Sequence, residues 1–282
     1  MYSTNFGRSW KPPVVLDKSF VQGSSRAKMH PFASTHRLLM SEALLYELLS
    51  NPADCRSCFL KFPSIDNPVD LVMHVGGYLR KEVDTRRPAP KPSERINSFR
   101  FQFNSRLLDA EYELPFEAAQ EIARQHDVLI SDVKTMKERA LTVSQFFPNA
   151  FVGNDLQRKA ARADAERLIT QESGSLLNFY GQLRAPKGER RFPPARYLTE
   201  EWAIYRSLQV QFLFSLDLYA RYGDALGAPL SRKSEEKIEH DVLDAQYLLI
   251  GVLEGSFATD ELKLRHWFAL LRPDGILFGN GI

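Results

Sequence analysis

The sequence predicts an α/β protein on a mainly parallel sheet, interrupted by a large, predominantly helical insertion. Three observations carry this. Short apolar runs bounded by turn formers occur near both ends of the chain, at Val14-Val15-Leu16 and at Ser256-Phe257-Ala258-Thr259. Each is linked in sequence to a segment of helical period, an alternation that favours parallel strands. Between them lies a long stretch with helix-period apolar positions and few strand formers.

Taken in order, Pro12 and Pro13 introduce Val14-Val15-Leu16, a short buried strand by its β-branched content, which stops at Asp17. Leu38-Leu39-Met40 runs into Ser41, a good N-cap for a helix over 42–49 with apolar Leu44, Leu45, Leu48 and Leu49. From Arg86 to Ser93 the chain carries Pro88, Pro90 and Pro92 among basic residues, which favours an extended connector and marks a boundary. Segments 116–147, 155–183 and 199–222 then read as helices. A helix over 237–253, broken by Gly255, leads into the strand candidate that ends before Asp260. Helix 261–271 and the run Gly275-Ile276-Leu277-Phe278 close the chain. The expected division is a discontinuous α/β core, 1–87 with 234–282, around a helical subdomain, 88–233. With 282 residues, one domain with an insertion and two domains are both open.

Composition narrows the function little. Lys and Arg total 37 against 35 Asp and Glu, so no global charge draws the chain to nucleic acid. Cys55 and Cys58 form a lone C-x-x-C, too few ligands for structural zinc, and read as ordinary thiols of a reducing cytosol. The polar N-terminus lacks the apolar core of a signal peptide. The most apolar stretch, 208–220, is interrupted by Gln209, Gln211 and Asp217. A cytoplasmic protein with no membrane partner is expected.

The acids carry the chemistry. Binding sites of open α/β sheets form outside the carboxyl ends of the strands, where Asp17 and Asp260 are both expected. Asp241 and Asp244, at i and i+3, share one helix face just before the strand that delivers Asp260. Glu47, late in the first clear helix, adds another. Carboxylates gathered this closely either take up protons or hold a cation, and hard oxygen donors suit Mg²⁺ or Mn²⁺. Such ions acidify a bound water and neutralise charge building on a phosphodiester. Glu42 reads instead as a first-turn acid favoured by the helix dipole.

These residues resemble the PIN-like nucleases, an α/β sandwich around a parallel sheet. Val14-Val15-Leu16-Asp17-Lys18-Ser19-Phe20-Val21 looks like the family's first motif, a strand ending in Asp with a small polar residue two positions on. Ser41-Glu42-Ala43-Leu44-Leu45-Tyr46-Glu47-Leu48 is similar to the second, in which a helix supplies a Glu. His240-Asp241-Val242-Leu243-Asp244-Ala245-Gln246-Tyr247, followed by Phe257-Ala258-Thr259-Asp260, resembles the third and fourth. The resemblance implies a PIN-like three-layer sandwich and a Mg²⁺- or Mn²⁺-dependent nuclease, an endoribonuclease by analogy. Asp17, Glu47, Asp241 or Asp244, and Asp260 would be its catalytic metal ligands, with Ser19 and Thr259 in support. It also implies a toxin or defence effector restrained by an inhibitory or regulatory protein partner. Common members are about half this length, so the span from Pro88 to Lys233 lies outside the family pattern. Two other readings stand beside it: a non-catalytic interaction protein that binds a partner through the helical insertion, and a structure-selective DNA nuclease.

The loop with Arg184, Lys187, Arg190, Arg191 and Phe192 mixes basic and aromatic groups as a single-strand-binding surface would, or is simply solvated. Phe99-Arg100-Phe101-Gln102-Phe103 alternates like a strand whose rings pack in a core or edge. Gly76-Gly77 and the pair His30 and His36 show no phosphate-binding or metal-binding spacing.

Overall fold

Strand β1 (Pro13–Leu16) forms where the β-branched run lies between Pro12 and Asp17. It occupies the centre of a five-stranded sheet ordered β3-β2-β1-β4-β5, in which all four pairings are parallel. The other strands are β2 (Arg37–Ser41), β3 (Asp70–Val72), β4 (Ser256–Ala258) and β5 (Ile276–Phe278). Val15 lies opposite Leu39 on one side and Phe257 on the other. A central parallel strand is covered on both faces, so its residues are apolar without alternation; Val15 and Leu16 are both fully buried. The computed structural model describes residues 11–65, 67–96, 113, 115–183 and 192–280. The aromatic run 99–103 and the basic loop residues Arg184, Lys187, Arg190 and Arg191 lie outside them.

Strand parity shows that helices cover both faces. Phe257 packs on Phe268 of helix α11 (Leu262–Leu271), ring centroids 5.7 Å apart, and lies under Gly251 of helix α10 (Arg232–Glu254). Phe278 has the opposite parity, because Leu277 is the residue in register with Phe257. It meets Phe32 of helix α2 (Arg26–Thr35) at 5.2 Å. Successive side chains of a strand point to opposite faces, so α10 with α11 and α2 lie on opposite sides of the sheet. Helix α10 crosses its centre, touching β1, β2 and β4. A Cβ at Gly251 would stand 2.8 Å from the Phe257 ring, so backbone rests directly on β4. Gly255, at φ +88°, ends α10 in the left-handed region and passes at once into β4.

The helices that the sequence pattern anticipates have local causes. Helix α3 (Glu42–Ser50) starts because the Ser41 side chain, at the end of β2, accepts the Leu44 N–H at 3.1 Å. Helices α1 (Lys18–Gly23), α4 (Pro52–Phe59) and α5 (Val75–Thr85) complete the first third. The middle of the described chain forms no strand: α6 (Phe116–Phe146), α7 (Asp155–Gln171), α8 (Ser173–Gln182) and α9 (Ala203–Tyr222) follow one another. The single helical stretch expected over 155–183 is two helices, parted at Glu172. Phe146, Phe179 and Phe212 tie α6, α8 and α9 together edge to face.

Two buried carboxylates fasten the proline-rich stretch and its neighbours. Trp202 gives α9 no side-chain cap; Glu82 of α5 supplies it, accepting the N–H of Ala203 at 2.7 Å and of Ile204 at 2.8 Å. The same carboxylate accepts the Ala89 N–H at 2.8 Å. Glu254 accepts from Ser93 through both N–H, at 2.7 Å, and Oγ, at 2.9 Å. One continuous apolar core runs from Val14 to Leu271 and includes residues of α6 through α9. Among the described residues no helix is long and apolar enough to cross a membrane.

Candidate active site at the carboxyl edge of the sheet

Strands β1 and β4 end side by side, and the Asp17 N–H donates to the Ala258 carbonyl at 3.0 Å. This places Asp17 beside Thr259 and Asp260 at the carboxyl edge of a parallel sheet. Asp17 is 2% exposed. Its Oδ2 accepts from Ser19 Oγ and, at 2.7 Å, from Thr259 Oγ1. Burial raises its proton affinity above the usual carboxylate range; the Ser19, Thr259 and Lys18 hydrogen bonds offset part of this, and the charge of Glu47 adds to it.

Asp244 faces this group from α10. Among the described residues it has no hydrogen bond and no ion pair, and its side chain keeps a window to solvent. Burial, then the Asp17 charge, push its carboxyl well above the usual range; Lys263 pulls the other way, and Asp241 and Glu261 add to the rise. The acids delivered by β1 and α10 therefore sense each other, and one of them has no donor among the described residues.

Glu47 is neutralised by partners. Burial alone would raise its pKa, but His240 Nδ1 at 3.2 Å, Tyr247 Oη and Lys18 Nζ at 3.0 Å bring it below the usual value. Lys18 also reaches Asp54 at 3.2 Å. Asp241, 4% exposed, is held by Arg221 of α9 and by Lys263 of α11, the latter at 2.6 Å. Asp260 turns away from Asp17: its carboxylate accepts the Asn280 backbone N–H at 2.5 Å and the Asn280 side-chain amide. Only its backbone joins the centre, its N–H donating to Ser19 Oγ at 3.0 Å.

Of the five acids expected from the sequence, Asp17, Asp244 and Glu47 thus share one electrostatic field with Asp241 at its border. The Asp260 carboxylate is directed elsewhere. Ser19 and Thr259 both sit on Asp17. The residues that sequence reasoning passed over are the partners: Lys18, His240, Tyr247, Arg221, Lys263 and Asn280. A signal existed for two of them, because His240, Asp244 and Tyr247 stand at i, i+4 and i+7 on one stripe of α10. Cys55 and Cys58, free thiols on α4, take no part; burial pushes Cys55 up to about 11, so it stays protonated at neutral pH.

Among the described residues, no three His, Cys, Asp or Glu side chains are grouped to hold a metal ion. The pair Asp17 and Asp244 still fits a hard divalent cation that keeps several waters, since Mg²⁺ is commonly held by one or two carboxylates together with substrate phosphate oxygens. Asp244 is the donor such an ion would satisfy. No family model matches the chain, and neither curated proteins nor solved structures give a match.

Proposed function

We propose that this chain is a Mg²⁺- or Mn²⁺-dependent nuclease that hydrolyses RNA at the carboxyl edge of its sheet. The observation that carries the reading is Asp244, a carboxylate with no donor among the described residues that feels the charge of buried Asp17. Two acids in that relation repel unless a proton or a cation lies between them. When bound there, the ion would acidify a water and neutralise charge developing on the phosphate. The protein's own contribution is placement. Ser19 and Thr259 fix Asp17 through Oδ2, Lys18 and Tyr247 hold Glu47, and Arg221 with Lys263 hold Asp241 at the border. RNA as substrate rests on the resemblance of the four acidic motifs to PIN-like nucleases, as does restraint of a toxin or defence effector by a protein partner.

A second reading, a non-catalytic interaction protein, is favoured by one observation: Glu47, Asp241 and Asp260 are each already paired with side chains of the chain itself. Acids engaged with Lys, Arg or Asn offer less to a metal than free ones.

The deciding experiment is cleavage of labelled single-stranded RNA, with single-stranded, duplex and flap DNA alongside, by wild type, Asp17→Asn and Asp244→Asn. Mg²⁺, Mn²⁺ and EDTA are compared. The nuclease reading expects metal-dependent cutting, preferentially of RNA, that both variants lose. Cutting confined to DNA flaps would make the chain a structure-selective DNA nuclease. Inactivity of folded wild type on every substrate, with calorimetry showing no binding of either ion, would leave the interaction protein.

A further inference from the structure

On the side of α10 away from Asp244 there is a cavity of about 210 Å³, walled by α5, α6, α9 and α10. Two opposite charges face it from one helix. Asp132 and Arg139 stand seven residues apart on α6, two turns along the same face, about 10 Å along the axis. Among the described residues neither makes a hydrogen bond or a salt bridge, although each feels the charge of the other. Burial disfavours both ionised forms: it raises the Asp132 carboxyl and lowers the Arg139 guanidinium. His74 adds its imidazole near Asp132. A third polar group waits in the wall. The Ser215 hydroxyl is fully buried and among the described residues has no hydrogen-bond partner. The remaining surface is mainly apolar, with Val210, Val242 and Leu249 among its side chains.

We infer that this cavity is a binding site for a small zwitterion with an aliphatic body, its ammonium group toward Asp132 and its carboxylate toward Arg139. The two protein charges are held too far apart to satisfy each other and open onto one space, so a molecule carrying both complementary charges satisfies both at once. A guanidinium receives a carboxylate through two parallel N–H bonds, and an ammonium suits a carboxylate as a compact donor. The aliphatic body meets Val210, Val242 and Leu249. A simple fatty acid or alkylamine would leave one buried charge unmet. This inference is independent of the nuclease reading, because none of these residues belongs to the acid site.

Isothermal titration of the full chain with 6-aminohexanoate and with leucine tests it, with hexanoate and hexylamine as single-charge controls. The expected result is saturable binding of at least one zwitterion, accompanied by a rise in Tm with ligand concentration. Arg139→Gln and Asp132→Asn should each weaken that binding by at least about tenfold, the cost of one charge-assisted hydrogen bond. Both positions are partly exposed on a long helix, and circular dichroism checks that the variants stay folded. Absence of heat and of a Tm shift with folded wild type at millimolar ligand overturns the inference. So does binding that survives in both variants, or that hexanoate and hexylamine match.

Discussion

Glu82 and Asp244 are both carboxylates that burial pushes above the usual range, and they sit in opposite kinds of surroundings. Glu82 of α5, against the start of α9, has no exposed surface and is saturated by three backbone N–H donors. Asp244, at the sheet edge, keeps a window to solvent and among the described residues has no donor, only like-charged neighbours and Lys263. Burial by itself therefore does not separate a structural acid from the one proposed to do chemistry. The supply of donors does, because a saturated carboxylate is a fixed part of the frame and an unsaturated one still has valence to offer.

The strongest way to break this contrast is to measure cleavage by Asp244→Asn beside Glu82→Gln. The first should cost about 10³-fold in kcat, roughly 4 kcal/mol of transition-state stabilisation. The second should leave kcat per folded molecule unchanged, as read by active-site titration and single-turnover kinetics. Equal losses would erase the distinction.

Stability should show the reverse order. Glu82→Gln places an amide N–H₂ against backbone donors and strips a charge from the start of α9. The expected loss is about 3 kcal/mol, measured by urea unfolding. Glu47→Gln is intermediate at about 2 kcal/mol, since it leaves Lys18, His240 and Tyr247 short of one acceptor. Because the Glu47 pKa is lowered by folding, its stabilisation is present above the unfolded value of 4.5 and is lost as pH falls through the folded one.

The smallest effect sharpens the contrast most. Folding raises the Asp244 pKa, so its contribution to stability is fully present below the unfolded value and is lost as pH rises from there through the folded value. In EDTA, Asp244→Asn should stabilise the protein by about 1 kcal/mol at neutral pH. That gain should vanish as pH falls toward the unfolded value of 3.8. A thermal melt series across pH checks the sign; destabilisation at neutral pH would mean that Asp244 is already satisfied. Added Mn²⁺ should raise the Tm of wild type and leave that of Asp244→Asn nearly fixed.

Much of the frame was legible in the residues. Val14-Val15-Leu16, Leu38-Leu39-Met40 and Ile276-Leu277-Phe278 announced strands by composition, and Ser41 and Gly255 announced a helix start and a helix stop. Strand β3 did not, because Asp70-Leu71-Val72 is three residues long and follows Pro63, Asn67 and Pro68, which read as loop. Helix α5 carries Gly76-Gly77 in its first turn, and α2 contains Pro31, both contrary to helical propensity; tertiary packing and the His74 and Ser25 caps overrule them. At the site, the position of Asp17 followed from a strand end, and the helix period put Asp241 and Asp244 on one face without choosing between them. What holds Asp241 and Asp260 did not follow, because Arg221, Lys263 and Asn280 come from other elements, and no local pattern records that meeting.

Gly255 leaves no loop between α10 and β4, and Gly251 presses the helix backbone onto Phe257. Chain length between Asp244 and Thr259 consequently works as a ruler. One alanine inserted between Asp244 and Gly251 would swing Asp244 about 100° around the helix axis relative to the strand that follows. The same alanine placed between Gly227 and Leu230, ahead of α10, would be taken up by irregular chain before the helix begins. An engineer seeking to graft a sensor domain onto this protein should open it there and leave α10 from Asp244 onward, about three turns, at its present length.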